Sequence, residues 1–153
     1  MIRTKHVASL LVLGALAAFA NTAAAAECSA TVESNDAMQF NTKALTVPKS
    51  CKTFTVTLKH VGQLPVTAMG HNFVLGKTAD IAGITADGMK AGAAANYVKA
   101  GDARVVAASK LIGGGGSTTV AIPVGKLKAG EAYTYVCTFP GHSSIMRGTL
   151  TVK

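Results

Sequence analysis

From Lys52 to His60 the chain alternates, with Phe54, Val56 and Leu58 on one side and Thr53, Thr55, Thr57 and Lys59 on the other. A period of two is the geometry of a strand with one buried face. The same alternation marks Ser117 to Ile122, Tyr133 to Cys137 and Thr149 to Lys153. Weaker versions cover Ser29 to Glu33, Met38 to Val47, Val66 to Leu75 and Arg104 to Ile112. Turn residues separate these runs: Val47-Pro48-Lys49-Ser50, Gly62-Gln63-Leu64-Pro65, Gly113 to Gly116, and Lys128-Ala129-Gly130. Eight short strands with such spacing predict an all-β, two-sheet Greek-key sandwich.

Thr78 to Ala100 breaks the rhythm. It is rich in Ala and Gly, and Ile81, Ile84 and Met89 recur at helical spacing. One short inserted helix is expected there, weakened by Gly83 and Gly88. Gly113 to Gly116 lacks the Gly-Lys-Ser/Thr continuation of a phosphate loop and reads as a hairpin.

The first residues stand apart from the sandwich. Arg3 and Lys5 precede an uncharged run from Val7 to Ala20, and Ala23 to Ala26 supplies small residues for cleavage. Residues 1–25 are therefore expected to be an export signal and 26–153 the mature domain. The uncharged run is shorter than the roughly 18 residues a membrane span needs, and no membrane anchor is expected. Among 153 residues, 15 Lys and Arg face 7 Asp and Glu; losing Arg3 and Lys5 lowers the formal charge from +8 to +6. With 49% apolar and 14% charged residues the chain is not disordered. Its lysines are scattered and carry no aromatic ladder, so nucleic acid is not an expected partner. Export places the protein in the oxidising periplasm, where disulfides persist. Three cysteines then leave one thiol over.

The chemistry gathers in Cys137-Thr138-Phe139-Pro140-Gly141-His142-Ser143-Ser144-Ile145-Met146. A soft thiolate, an imidazole and a thioether share one tight connection between two strands. With a second imidazole from elsewhere, that set holds copper in the trigonal His2Cys arrangement with a long axial Met. His60 and His71 are the other histidines of the mature chain. His71 lies in Met69-Gly70-His71-Asn72-Phe73, where Gly70 lets the backbone approach a ligand closely. His60 ends the strongest strand pattern and is assigned to structure, with a hydrogen bond that responds to pH.

These residues resemble the azurin family of small blue copper proteins, which have the cupredoxin fold. The resemblance rests on the Cys-Thr-Phe-Pro-Gly-His-Ser loop with Met three residues beyond Ser143, and on Met-Gly-His-Asn upstream. Cys28 and Cys51, the run Lys126-Leu127-Lys128 and the ending from Gly148 to Lys153 extend it over 26–153. It implies His71, Cys137 and His142 as equatorial ligands of one copper ion, Met146 as a weak axial ligand and the Gly70 carbonyl opposite. Asn72, Phe139 and Ser143 would surround the ligands, and Cys28 would pair with Cys51. Met38, Leu64, Met69, Met89, Phe139, Pro140 and Gly141 would form an apolar docking patch around His142.

The implied function is one-electron transfer by Cu(I)/Cu(II) cycling, without enzymatic turnover, by a monomer. Its transient partners would be periplasmic redox proteins, c-type cytochromes or a reductase. The alternative is a copper carrier or buffer without redox use. The chain departs from the family at Phe73, where many azurins carry Trp, and in its excess of basic residues.

Overall fold

The computed structural model describes residues 27–153, so the export signal and its cleavage region lie outside the described residues. Strands β1 (Ser29–Ser34), β2 (Ala44–Val47), β3 (Thr53–His60), β4 (Val74–Lys77), β5 (Val105–Ala108), β6 (Ser117–Pro123), β7 (Tyr133–Val136) and β8 (Arg147–Val152) form two sheets. One has the order β1-β3-β6 and the other β2-β8-β7-β4-β5. The pairs β1–β3 and β2–β8 are parallel, and the remaining neighbours are antiparallel. Eight strands in two layers is the predicted sandwich.

The alternation on β3 has its physical reason in the space between the sheets. Phe54, Val56 and Leu58 are at most 2% exposed and pack with Val32, Phe73, Leu75, Ile122, Tyr135 and Leu150. Phe73 stacks on Tyr135 at 4.8 Å and 15°, and Phe40 leans on Tyr135 at 5.7 Å. The phenol of Tyr135 donates to the Thr42 carbonyl at 2.7 Å, which satisfies its one polar atom inside the core. A β-carbon at Gly148 would collide with that ring. Cys28 and Cys51 are disulfide-bonded, joining the chain just before β1 to the chain just before β3.

Two sequence expectations need correction. The run Val66 to Leu75 is not one strand: Val66–Met69 is a single helical turn, α1, and β4 begins only at Val74. Pro65 starts the turn because its ring fixes φ at −65° and its carbonyl accepts from Ala68 and Met69. The run Met38 to Val47 is strand only from Ala44. Met38 is left-handed at φ 56, and the Asn35 side chain accepts the N–H groups of Ala37 and Gln39, so a turn replaces the first half. The inserted helix α2 spans Ile81–Ala91 and buries Ile81, Ile84, Thr85 and Gly88. Gly88 is not a defect in it, because any β-carbon there would strike the Tyr97 carbonyl.

Candidate metal centre

One end of the sandwich carries the site, and three chain segments build it. The first leaves α1 at Gly70, whose φ of −70° any residue adopts. Glycine is needed there for space: a β-carbon would lie 2.6 Å from the Val66 carbonyl and 2.8 Å from the Phe139 ring. His71 follows, pinned to Ile112 by reciprocal backbone hydrogen bonds of 2.9 Å. The second segment leaves β7 as Cys137 and returns as Met146. Cys137 N–H donates to the Met146 carbonyl at 3.0 Å, and Met146 N–H to the His142 carbonyl at 2.8 Å. Within it, Pro140 and Gly141 (φ 82°) make a turn closed by His142 N–H on the Phe139 carbonyl at 3.0 Å. The third segment, after α2, holds the other two.

The Nδ1 atoms of His71 and His142 lie 3.8 Å and 3.7 Å from the Cys137 sulfur. The three donor atoms fall within 4.8 Å of one another, and all three residues are buried. Metal bonds of about 2.3 Å to sulfur and about 2.0 Å to nitrogen, spread at 120°, separate S from N by about 3.7 Å. The sulfur–nitrogen spacings thus fit one ion held by all three donors. His71 turns Nε2 to the Asn35 carbonyl at 2.9 Å, which fixes the proton there and leaves Nδ1 a lone pair aimed at the cluster.

Electrostatics favour a metal over free protons. Burial lowers the His71 pKa to about 4, against the opposing hydrogen bond to Asn35, and burial also lowers that of His142. Both rings are therefore neutral ligands near neutral pH. Burial pushes the Cys137 thiol up to about 11, although the N–H groups of Asn72 and Phe139 favour its thiolate. A bound cation reverses that burial penalty by supplying the counter-charge.

The remaining predicted residues distribute as follows. Met146 is completely buried, and the Gly70 carbonyl lies 3.8 Å from the Cys137 sulfur. Asn72 is fully buried and ties the two ligand segments together: it accepts from Thr138 N–H at 2.9 Å and donates to Thr138 Oγ1 at 2.8 Å. Phe139 sits 4.7 Å from the His142 ring, and Ser143 is half-buried in the loop. Leu64 and Met89 are 42% and 48% exposed, Pro140 and Gly141 are exposed, and Met38 and Met69 are half-buried. His60 stays outside the donor cluster. Its ring packs on His71 at 4.4 Å, and Nε2 lies 3.2 Å from Asp36 Oδ1, within ion-pair range but off hydrogen-bond direction.

Sequence reasoning missed Asn35, Asn96, Thr138 and the exposed apolar side chains of Val66 and Ile145. Asn35 meets His71, and Asn96 meets Asn72, through backbone carbonyls, which leave no mark in residue type. Val66, at 38% exposure, helps line a cleft of about 310 Å³ against Phe139, Tyr97 and Leu111, and its place in a strand-like run hid it.

A two-sheet sandwich with a buried His-Cys-His cluster at one end defines a single-copper protein of the cupredoxin type. The family model of copper binding proteins, plastocyanin/azurin family, matches residues 26–153, and the chain belongs to that family. Its relatives include azurins. It is 60% identical over 129 residues to azurin of Achromobacter denitrificans, covering 84% of this chain and 87% of that one. Azurin of Pseudomonas aeruginosa is 56% identical over 129 residues, with the same coverage. Among solved structures, an azurin (Az-iso2) from the methylotroph Methylomonas sp. strain J matches with a TM-score of 0.81 at 48% identity. That match covers 84% of this chain and 99% of that one. The protein is a blue copper protein with one copper ion per chain.

Proposed function

We propose that this protein shuttles single electrons between redox partners in the periplasm, with His71, Cys137 and His142 as equatorial ligands. Met146, buried beside the cluster-forming loop, and the Gly70 carbonyl, 3.8 Å from the Cys137 sulfur, would be further, weaker ligands of the copper. The observation that carries the reading is the convergence of two Nδ1 atoms on one buried sulfur at 3.7 and 3.8 Å. When bound, copper supplies a one-electron Cu(I)/Cu(II) couple.

The chain's own residues do the rest. Cys137 would contribute the thiolate, which the N–H groups of Asn72 and Phe139 favour, and hydrogen bonds of that kind tune a metal's potential. The sandwich, the Ile112 bridge and Asn72 hold the donors at one spacing, so little has to move when the electron arrives. His142, only 3% exposed, reaches the surface beside Phe139, Pro140 and Gly141. A partner therefore meets the site across a narrow ring edge framed by apolar surface, which suits brief docking of a c-type cytochrome or a reductase. Cleavage after Ala25 would release the domain 26–153 as a monomer without a membrane anchor; among the described residues no helix is long and apolar enough to cross a membrane.

The test is reconstitution. Copper-loaded protein should exchange electrons rapidly and reversibly with a c-type cytochrome. Slow exchange combined with ready surrender of copper to a chelator would instead favour a metal carrier.

A further inference from the structure

Asn96 lies in the loop that follows α2, outside the ligand segments, and it bonds both to Asn72, which follows His71, and to Leu111, beside the residue paired with His71. Its backbone is left-handed at φ 54 and ψ 29, and Tyr97 repeats the conformation at φ 53. Asn tolerates that region better than most residues, whereas a bulky side chain such as that of Tyr97 does so at a cost. The Asn96 carbonyl accepts from Asn72 Nδ2 at 2.7 Å, and Asn96 Oδ1 accepts from Leu111 N–H at 2.9 Å. Each bond leads to a ligand in one further step. Asn72 grips Thr138, the neighbour of Cys137, through two hydrogen bonds. Leu111 precedes Ile112, which is paired with His71.

We infer that Asn96 is a positioning residue that tunes the reduction potential by bracing Asn72, which ties the His71 segment to the Cys137 segment, and the chain paired with His71. The inference rests on the copper reading above. The mechanism follows from the bonds to sulfur. Asn72 belongs to the His71 segment and Phe139 to the Cys137 segment, and the N–H groups of both favour the thiolate, so the hydrogen bonding of sulfur depends on how the two segments are held together. Loosening them strips hydrogen bonds from sulfur, leaves more negative charge on it and favours Cu(II). The potential then falls. The inserted segment between β4 and β5 thereby acquires a purpose: α2 carries this loop, and Gly88 permits its close approach to Tyr97.

Asn96→Gly keeps the left-handed backbone and deletes only the side-chain acceptor. Ala94→Gly, at an exposed position of the same loop, is the control for added flexibility. The expected result for Asn96→Gly is a roughly tenfold shift of relative copper affinity toward Cu(II), a fall of about 59 mV for one electron. In metal-free protein, amide exchange at Leu111 and Thr138 should accelerate at least tenfold. Ala94→Gly should change neither. Asn96→Asp, which keeps the acceptor, should retain slow exchange at Leu111. An unchanged or raised potential in Asn96→Gly, or an equal fall in Ala94→Gly, overturns the positioning role. A wild-type protein that binds copper without thiolate colour would instead overturn the copper reading itself.

Discussion

Gly70 admits no β-carbon, since the Val66 carbonyl and the Phe139 ring already occupy that space. Gly70→Ala must displace the peptide that enters His71 or the ring that abuts His142. We expect it to destabilise the fold by about 1–3 kcal/mol, as overpacking does, measured by urea unfolding, and to alter the copper absorption spectrum. A variant with wild-type stability and spectrum would show that the close approach carries no weight. At this scale the sequence was informative wherever residue type does the work. Cys137, His142 and Met146 share one loop, and their order can be read directly. Asn96 could not be found this way, because it acts on Asn72 through a carbonyl that every residue possesses. His60 was legible as structural from its place at the end of the β3 alternation, and it packs against His71 outside the donor cluster.

Elements repeat the lesson in their boundaries. β3 was legible because one face is buried along its whole length. Val66-Thr67-Ala68-Met69 also alternates, but it lies on the surface with no core to read, and Pro65 starts a helical turn instead. The disulfide joins elements at the end remote from the copper loops, because β3 starts beside Cys51 and ends at His60. With a sequence separation of 23, replacing both Cys28 and Cys51 by Ser should cost about 3.5 kcal/mol in the chain-entropy view. The blue spectrum should survive, and loss of colour in folded protein would contradict this separation of roles. Across α2 and the approach to β5, Arg104 bridges Asp87 at 2.7 Å and Asp102 at 2.6 Å. Hydrogen bonding to Arg104 lowers the Asp102 pKa from its usual 3.8 to about 2. A carboxylate depressed on folding stabilises the fold above its unfolded pKa and loses that contribution as pH falls from about 4 through about 2. The melting temperature of the native protein should therefore drop more steeply over that window than that of Asp102→Asn. Parallel pH profiles would contradict the assignment.

For the whole molecule, the sandwich separates two tasks: a rigid core behind the metal and an apolar rim in front of it. Leu64 is 42% exposed, and we propose it as part of that rim, outside the donor cluster. Leu64→Glu should slow electron exchange with a c-type cytochrome about tenfold, a loss of about 1.4 kcal/mol in encounter stability, while leaving the copper spectrum unchanged. An unchanged rate would move the docking surface elsewhere, toward the cleft beside Phe139 and Val66. All of this depends on one claim, that Cys137 is a copper thiolate held between two histidines. The most direct test is the optical and EPR spectrum of copper-loaded protein beside that of Cys137→Ala. The native protein should show an intense thiolate-to-Cu(II) absorption that bleaches on reduction and is absent from the variant. A colourless native protein, or a Cys137→Ala variant that remains blue, would contradict the site.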